Sequence, residues 1–74
     1  MGYSRHNKGL IQFGVKIKEI RRIQKISQDQ LSFESGISKN QISRIERGEI
    51  NTGLSTIIIL ADALNVSLKD LFDY

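Results

Sequence analysis

The sequence contains no cysteine, no proline and no tryptophan, and it has a single histidine and a single methionine. Without cysteine there is no disulfide and no thiolate zinc site to staple a small fold. The core must therefore be built from apolar side chains alone. No apolar run approaches the roughly 20 residues of a membrane span. No basic-then-apolar segment opens the chain as a secretory signal would. The one histidine, His6, has no carboxylate near it in sequence, so nucleophile–base pairs and metal-ligand sets both lack parts. No catalytic activity, no metal and no cofactor is expected. A cysteine-free chain fits the cytoplasm, and that is the expected location.

What is present is small and basic. Seventy-four residues leave room for one domain. A chain of this size buries only about 60% of its unfolded surface and sits near the lower limit for folding alone. The net charge of +3 is unevenly spread. Residues 1–50 carry ten Lys/Arg against five Asp/Glu, whereas residues 51–74 carry one Lys against three Asp. One basic portion on a small domain points to an anionic partner, nucleic acid above all, with a merely solvated basic face as the plainer alternative.

Apolar residues recur at helical spacing, and no alternating strand pattern appears, so an all-α fold is expected. Phe13, Ile17 and Ile20 form the stripe of an amphipathic helix from about Leu10 to Gln24. Residues 1–9 have no period and read as a flexible tail, with the domain over residues 10–74. Ser27-Gln28-Asp29-Gln30 and Ser38-Lys39-Asn40-Gln41 are capping boxes, each between the two apolar residues of a hydrophobic staple. Ser67-Leu68-Lys69-Asp70 is a looser version. These mark three helix starts. Gly36 and Gly48 supply the left-handed residues that close the two middle helices. A fourth helix runs from about Leu54 to Leu64, started by Thr52 or Gly53 and ended by Asn65. Its core side is Leu54, Ile57, Leu60, Ala61 and Leu64. The expected architecture is a compact five-helix domain.

The two middle helices are each about eight residues long, with only Gly36-Ile37-Ser38 between them. Short helices joined by a glycine-containing turn describe a helix-turn-helix. On the second of them Ile42, Ile45 and the stem of Glu46 share one face, while Asn40, Ser43, Arg44 and Arg47 radiate to the other. Lys39 lies in the open first turn. This outer face holds donors suited to phosphates and base edges, and no large apolar residue.

Ile20-Arg21, Ser27 to Leu31, Ser35 to Ser38 and Ile42 to Gly48 together resemble the XRE-type, lambda-repressor-like helix-turn-helix family, as do Leu60 to Ser67 and Asp70-Leu71-Phe72. The resemblance covers about residues 13–72. It implies a DNA-binding repressor or operon controller that reads a palindromic operator on double-stranded DNA as a homodimer, with the third helix in the major groove. It gives Gln28 a phosphate at the start of helix 2. It gives Lys39, Asn40, Ser43 and Arg44 the base edges and nearby backbone. Ser38 and Arg47 complete the expected DNA-binding set, and by groove chemistry Arg44 is expected to pair with a guanine and Asn40 with an adenine. The resemblance also pairs Arg21 with Glu46 in a salt bridge between helices 1 and 3. Lys25 stands where relatives often have glycine, so strain or a tighter turn is expected there. Lys39 and Arg44 replace the acidic or glutamine residues of some relatives, so no known operator can be borrowed.

The run Ile57-Ile58-Ile59 places Ile58 at the edge and Ile59 outside the core stripe. With Phe72 and Tyr74 these two make the expected dimer surface. No membrane partner and no small-molecule effector domain are expected. The competing reading is a protein-interaction module of the same fold, such as an antitoxin or regulatory partner. That role would call for aliphatic or aromatic anchors on the outer face of helix 3.

Overall fold

The computed structural model describes residues 3–74, with side chains from residue 8 onward. Its helices are α1 (Tyr3–Ile23), α2 (Gln28–Ser35), α3 (Lys39–Glu46), α4 (Leu54–Ala63) and α5 (Leu68–Leu71). The N-terminal boundary corrects the sequence reading: α1 extends back to Tyr3, so residues 3–9 continue the helix rather than precede it. Once a helix is nucleated, each added residue gains one hydrogen bond. Nothing in residues 3–9 is a proline that would stop the propagation. The side chain of His6 lies outside the described residues.

All three serine caps form. Ser27 Oγ accepts from the Gln30 N–H at 3.0 Å, Ser38 Oγ from Gln41 at 3.1 Å and Ser67 Oγ from Asp70 at 3.1 Å. The reciprocal half of the box is completed only at Ser67, whose N–H donates to Asp70 Oδ2 at 3.2 Å. This reverses the expected ranking. Gln30 turns away along α2 to donate to Glu34 Oε2 at 3.4 Å, leaving its cap one-sided. The looser sequence match is thus the complete motif.

The ends of α1 to α4 share one solution. Gly36 and Gly48 adopt left-handed φ values of +77° and +71°, as expected. Asn65 does the same at +57°, and so does Lys25 at +60°. After α1, Lys25 N–H bonds Arg22 O at 3.0 Å and Ile26 N–H bonds Arg21 O at 3.1 Å, the paired pattern of a Schellman turn. Lysine here costs about 1 kcal/mol relative to a residue without a Cβ. The expected strain is present, but the turn keeps its ordinary hydrogen bonds.

The core draws on every helix: Phe13, Ile17 and Ile20 from α1, Leu31 from α2, Ile42 and Ile45 from α3, Leu60, Ala61 and Leu64 from α4, and Leu71 from α5. Ile37, in the turn between α2 and α3, is buried with them. Each fully buried Ile or Leu contributes about 1.5–3 kcal/mol. Leu54 corrects the predicted core list. It is the first residue of α4, ahead of the packed stripe, and is 68% exposed. The principal packing partner of α1 is α3, while α2 touches both α3 and α4. α3 is therefore mounted on α1 and α2.

Candidate nucleic-acid interface

The turn that sets α3 against α2 is tied by side chains on both sides. Ser32 Oγ donates to Ile37 O, and Ile37 N–H donates to Ser35 Oγ at 3.1 Å. Buried Ile42 and Ile45 fix the rotation of α3 about its own axis. Lys39, Asn40, Arg44 and Arg47 are consequently exposed, with Ser43 half-buried among them. The structure brings these sequence-predicted residues onto one outward surface that has no apolar anchor. Ser38 is exposed at its edge, but its hydroxyl is already engaged as the helix cap.

Beneath that surface lies Glu46, which among the described residues is the one buried charged side chain. Arg21 grips it in two-pronged fashion, Nε to Oε2 at 2.8 Å and Nη2 to Oε1 at 3.1 Å. The third guanidinium nitrogen, Nη1, donates to Ile26 O at 2.9 Å. The hydrogen bonds to Glu46 raise the Arg21 pKa above its ordinary value against the opposing effect of burial. The expected pair between α1 and α3 is present, and it is more elaborate than expected. Gln28 Nε2 donates to Glu46 Oε1 at 2.9 Å, so the first residue of α2 is joined to the same carboxylate. The sequence reading assigned Gln28 to a phosphate alone; in the structure its amide donor links α2 to the base of α3.

The outer face carries charge pairs of its own. Lys39 lies 3.4 Å from Asp29 across the turn. Arg47 donates to Ser43 Oγ and makes two bonds to Glu49, at 2.7 and 3.2 Å. Arg44 Nε lies 3.7 Å from the same carboxylate. Hydrogen bonding from Arg47 holds the Glu49 carboxyl below the ordinary carboxylate range. Sequence reasoning missed Glu49. Its only signal in the sequence is local, an acid directly after the glycine that closes α3.

On the far side, Ile58 and Ile59 are 48% and 42% exposed. The expected order, with Ile59 outermost and Ile58 at the edge, is replaced by near-equal exposure. Phe72 stacks one face on Phe13, with ring centroids 5.4 Å apart, and Tyr74 tilts against it at 6.4 Å. Both aromatic side chains remain about half exposed. No described helix is long and apolar enough to cross a membrane.

Comparison with known proteins agrees with this geometry. The chain is 46% identical over 55 residues to the control protein C.SmaI of Serratia marcescens, a match covering 74% of this chain and 66% of that protein. The fold superposes on the restriction-modification controller protein C.AhdI from Aeromonas hydrophila with a TM-score of 0.86 and 35% identity, covering 88% of this chain and 98% of the other. It also superposes on the controller C.Esp1396I, solved as a tetramer in complex with its natural 35-base-pair operator. There the TM-score is 0.81 at 28% identity, over 86% of this chain and 84% of the other. The signature of the helix-turn-helix family matches residues 17–71, which include all of α2, α3 and α4, and the chain belongs to that family.

Proposed function

We propose that this protein is a sequence-specific, double-stranded DNA-binding transcriptional regulator that works on an operator as a homodimer, with no catalytic activity. The observation that carries the reading is the outer face of α3. Lys39, Asn40, Ser43, Arg44 and Arg47 surround a helix whose other side is locked into the core by Ile42 and Ile45. Long donors on a rigid short helix suit the major groove, where arginine pairs with guanine and asparagine with adenine. The likeness to a controller solved on its operator supports the same use of the fold here. The role as an operon controller in a restriction–modification system is favoured over a generic repressor by the similarity to two such controllers. The site of action is then the cytoplasm, on the DNA.

The test is binding to a duplex selected from a random pool. Affinity should fall steeply with salt, since each phosphate neutralised releases counterion. Arg44→Ala should cost about 1–3 kcal/mol at one base position and relax preference there. An equal loss on selected and random duplexes would remove Arg44 from base reading. The rival protein-binding reading draws on a different place, Phe33, which is 89% exposed on α2.

A single helix reads too few base pairs to find one operator in a genome. Two copies related by a two-fold axis present their helices to half-sites about 34–36 Å apart. The apolar surface of Ile58, Ile59, Phe72 and Tyr74 on α4 and the C-terminal segment is the proposed dimer contact. Ile59→Lys should shift the protein toward monomer in sedimentation and weaken a palindromic site more than a half-site. A variant that sediments as wild type with full affinity would place the contact elsewhere.

A further inference from the structure

The backbone pins Glu49 at the end of the recognition helix. Gly48 turns left-handed at φ +71°, its N–H bonding Ile45 O at 3.0 Å, and the Glu49 N–H bonds Arg44 O at 2.9 Å. This is a complete Schellman closure. It is further confined because a Cβ on Gly48 would lie 2.7 Å from the Ile11 Cα of α1. The carboxylate is thereby delivered back onto Arg47, at 2.7 Å, with Arg44 at 3.7 Å. Arg47 in turn holds the Ser43 hydroxyl. Three of the residues assigned to DNA are tied into one cluster by a single acid.

Helix energetics do not account for that acid. The C-terminal end of a helix carries partial negative charge and favours cations. A carboxylate there breaks a local rule, and such breaks concentrate at functional sites. The geometry of the pair supplies the function. A carboxylate held in two-pronged fashion by the Nε–Nη2 edge of a guanidinium occupies donors that a phosphate would take.

We propose that Glu49 restrains the affinity for DNA: it stands in for DNA phosphate on Arg47 and Arg44 and must be displaced before either arginine engages DNA. This rests on the DNA-binding reading above. On DNA, Arg47 gains a phosphate only by losing a carboxylate, and the freed carboxylate then sits in the field of the duplex. Both effects lower affinity, and they fall on matched and random duplex alike. At a matched site the base contacts of Arg44 and Asn40 offset the displacement, so binding there survives a penalty that suppresses the random background.

The experiment measures duplex binding by fluorescence anisotropy across a salt series. It compares wild type, Glu49→Gln and the charge-matched control Asp62→Asn, which removes an exposed acid on α4. Glu49→Gln should bind random duplex about tenfold more tightly at 0.1 M salt, with a log–log salt slope steeper by about 0.9 for each arginine released to phosphate. Affinity for a selected duplex should rise by a similar factor, because the same carboxylate is displaced there. Asp62→Asn should show a much smaller gain. In an Arg47→Gln background, the effect of Glu49→Gln should shrink. Equal gains from Glu49→Gln and Asp62→Asn, or an undiminished gain without Arg47, would overturn the proposal while leaving DNA binding intact. Failure of every protein to bind any duplex at low salt would overturn the DNA-binding reading, and this one with it.

Discussion

Glu46→Gln is expected to lower the stability of the fold by about 3 kcal/mol, the lower end of the range for breaking a buried ion pair. The side chain of Glu46 is 3% exposed and that of Arg21 is 11%, so water cannot replace what the substitution removes. Arg21 would keep its bond to Ile26 O but lose the charge it was buried against. A domain of this length has a total stability of roughly 4–11 kcal/mol at typical per-residue values. The loss should appear as a fall in Tm of about 12–24 °C. The amide of Gln28 also loses half of its reason to sit where it does, because it donates to the same carboxylate. Since Glu46 is the last residue of α3, the orientation of the recognition helix is coupled to this network. DNA affinity should drop with stability even though Glu46 faces away from the groove. Replacing both charges, as Arg21→Met with Glu46→Met, should recover part of the Tm, because no uncompensated charge is then left buried. A Glu46→Gln protein that melts with the wild type would reduce the pair to the value of a surface contact.

The helix-turn-helix was legible because its punctuation is local. Ser27, Ser38, Gly36 and Gly48 act on backbone groups within a few residues of themselves, so their roles survive without tertiary context. The Arg21–Glu46 pair came from family resemblance, since 25 residues separate its members and no periodicity links them. What stayed hidden depended on distant partners or on continuation. Residues 3–9 carry no apolar stripe, so their helicity, inherited from α1, left no pattern to read. Leu54 has the right spacing for the core but lies one turn before the packed part of α4. Gln28 has two chemically sensible uses, and only its 2.9 Å approach to Glu46 shows which one the folded chain makes. Glu49 was visible as a letter, yet its meaning came from the closing turn that folds it back onto Arg44 and Arg47.

Gly14→Ala is the substitution for which helix propensity and packing make opposite forecasts. In the interior of α1, exchanging glycine for alanine would ordinarily gain about 1 kcal/mol. Gly14, however, lies where α1 crosses the end of α3. A Cβ there would meet the backbone carbonyl of Ile45 and lie 2.7 Å from that of Glu46. These are main-chain atoms at the end of a helix, and no flexible side chain can swing aside to make room. α1 and α3 must move apart, which loosens Phe13 and Ile17 against Ile42 and Ile45 and stretches the two bonds from Arg21 to Glu46. Overpacking of a close core costs about 1–3 kcal/mol, and occasionally more. With backbone on one side of the clash and a buried ion pair beside it, the cost belongs at or above the top of that range. The net loss should be about 2 kcal/mol or more. Gly9→Ala, in the same helix, supplies the opposite sign: nothing lies within 4 Å of its added Cβ, so it should stabilise by about 0.5–1 kcal/mol. Thermal unfolding of the two variants beside wild type reads both effects with one instrument. If both glycines raise the Tm on exchange for alanine, α1 and α3 have room to spare at their crossing and the close approach at Gly14 carries no constraint.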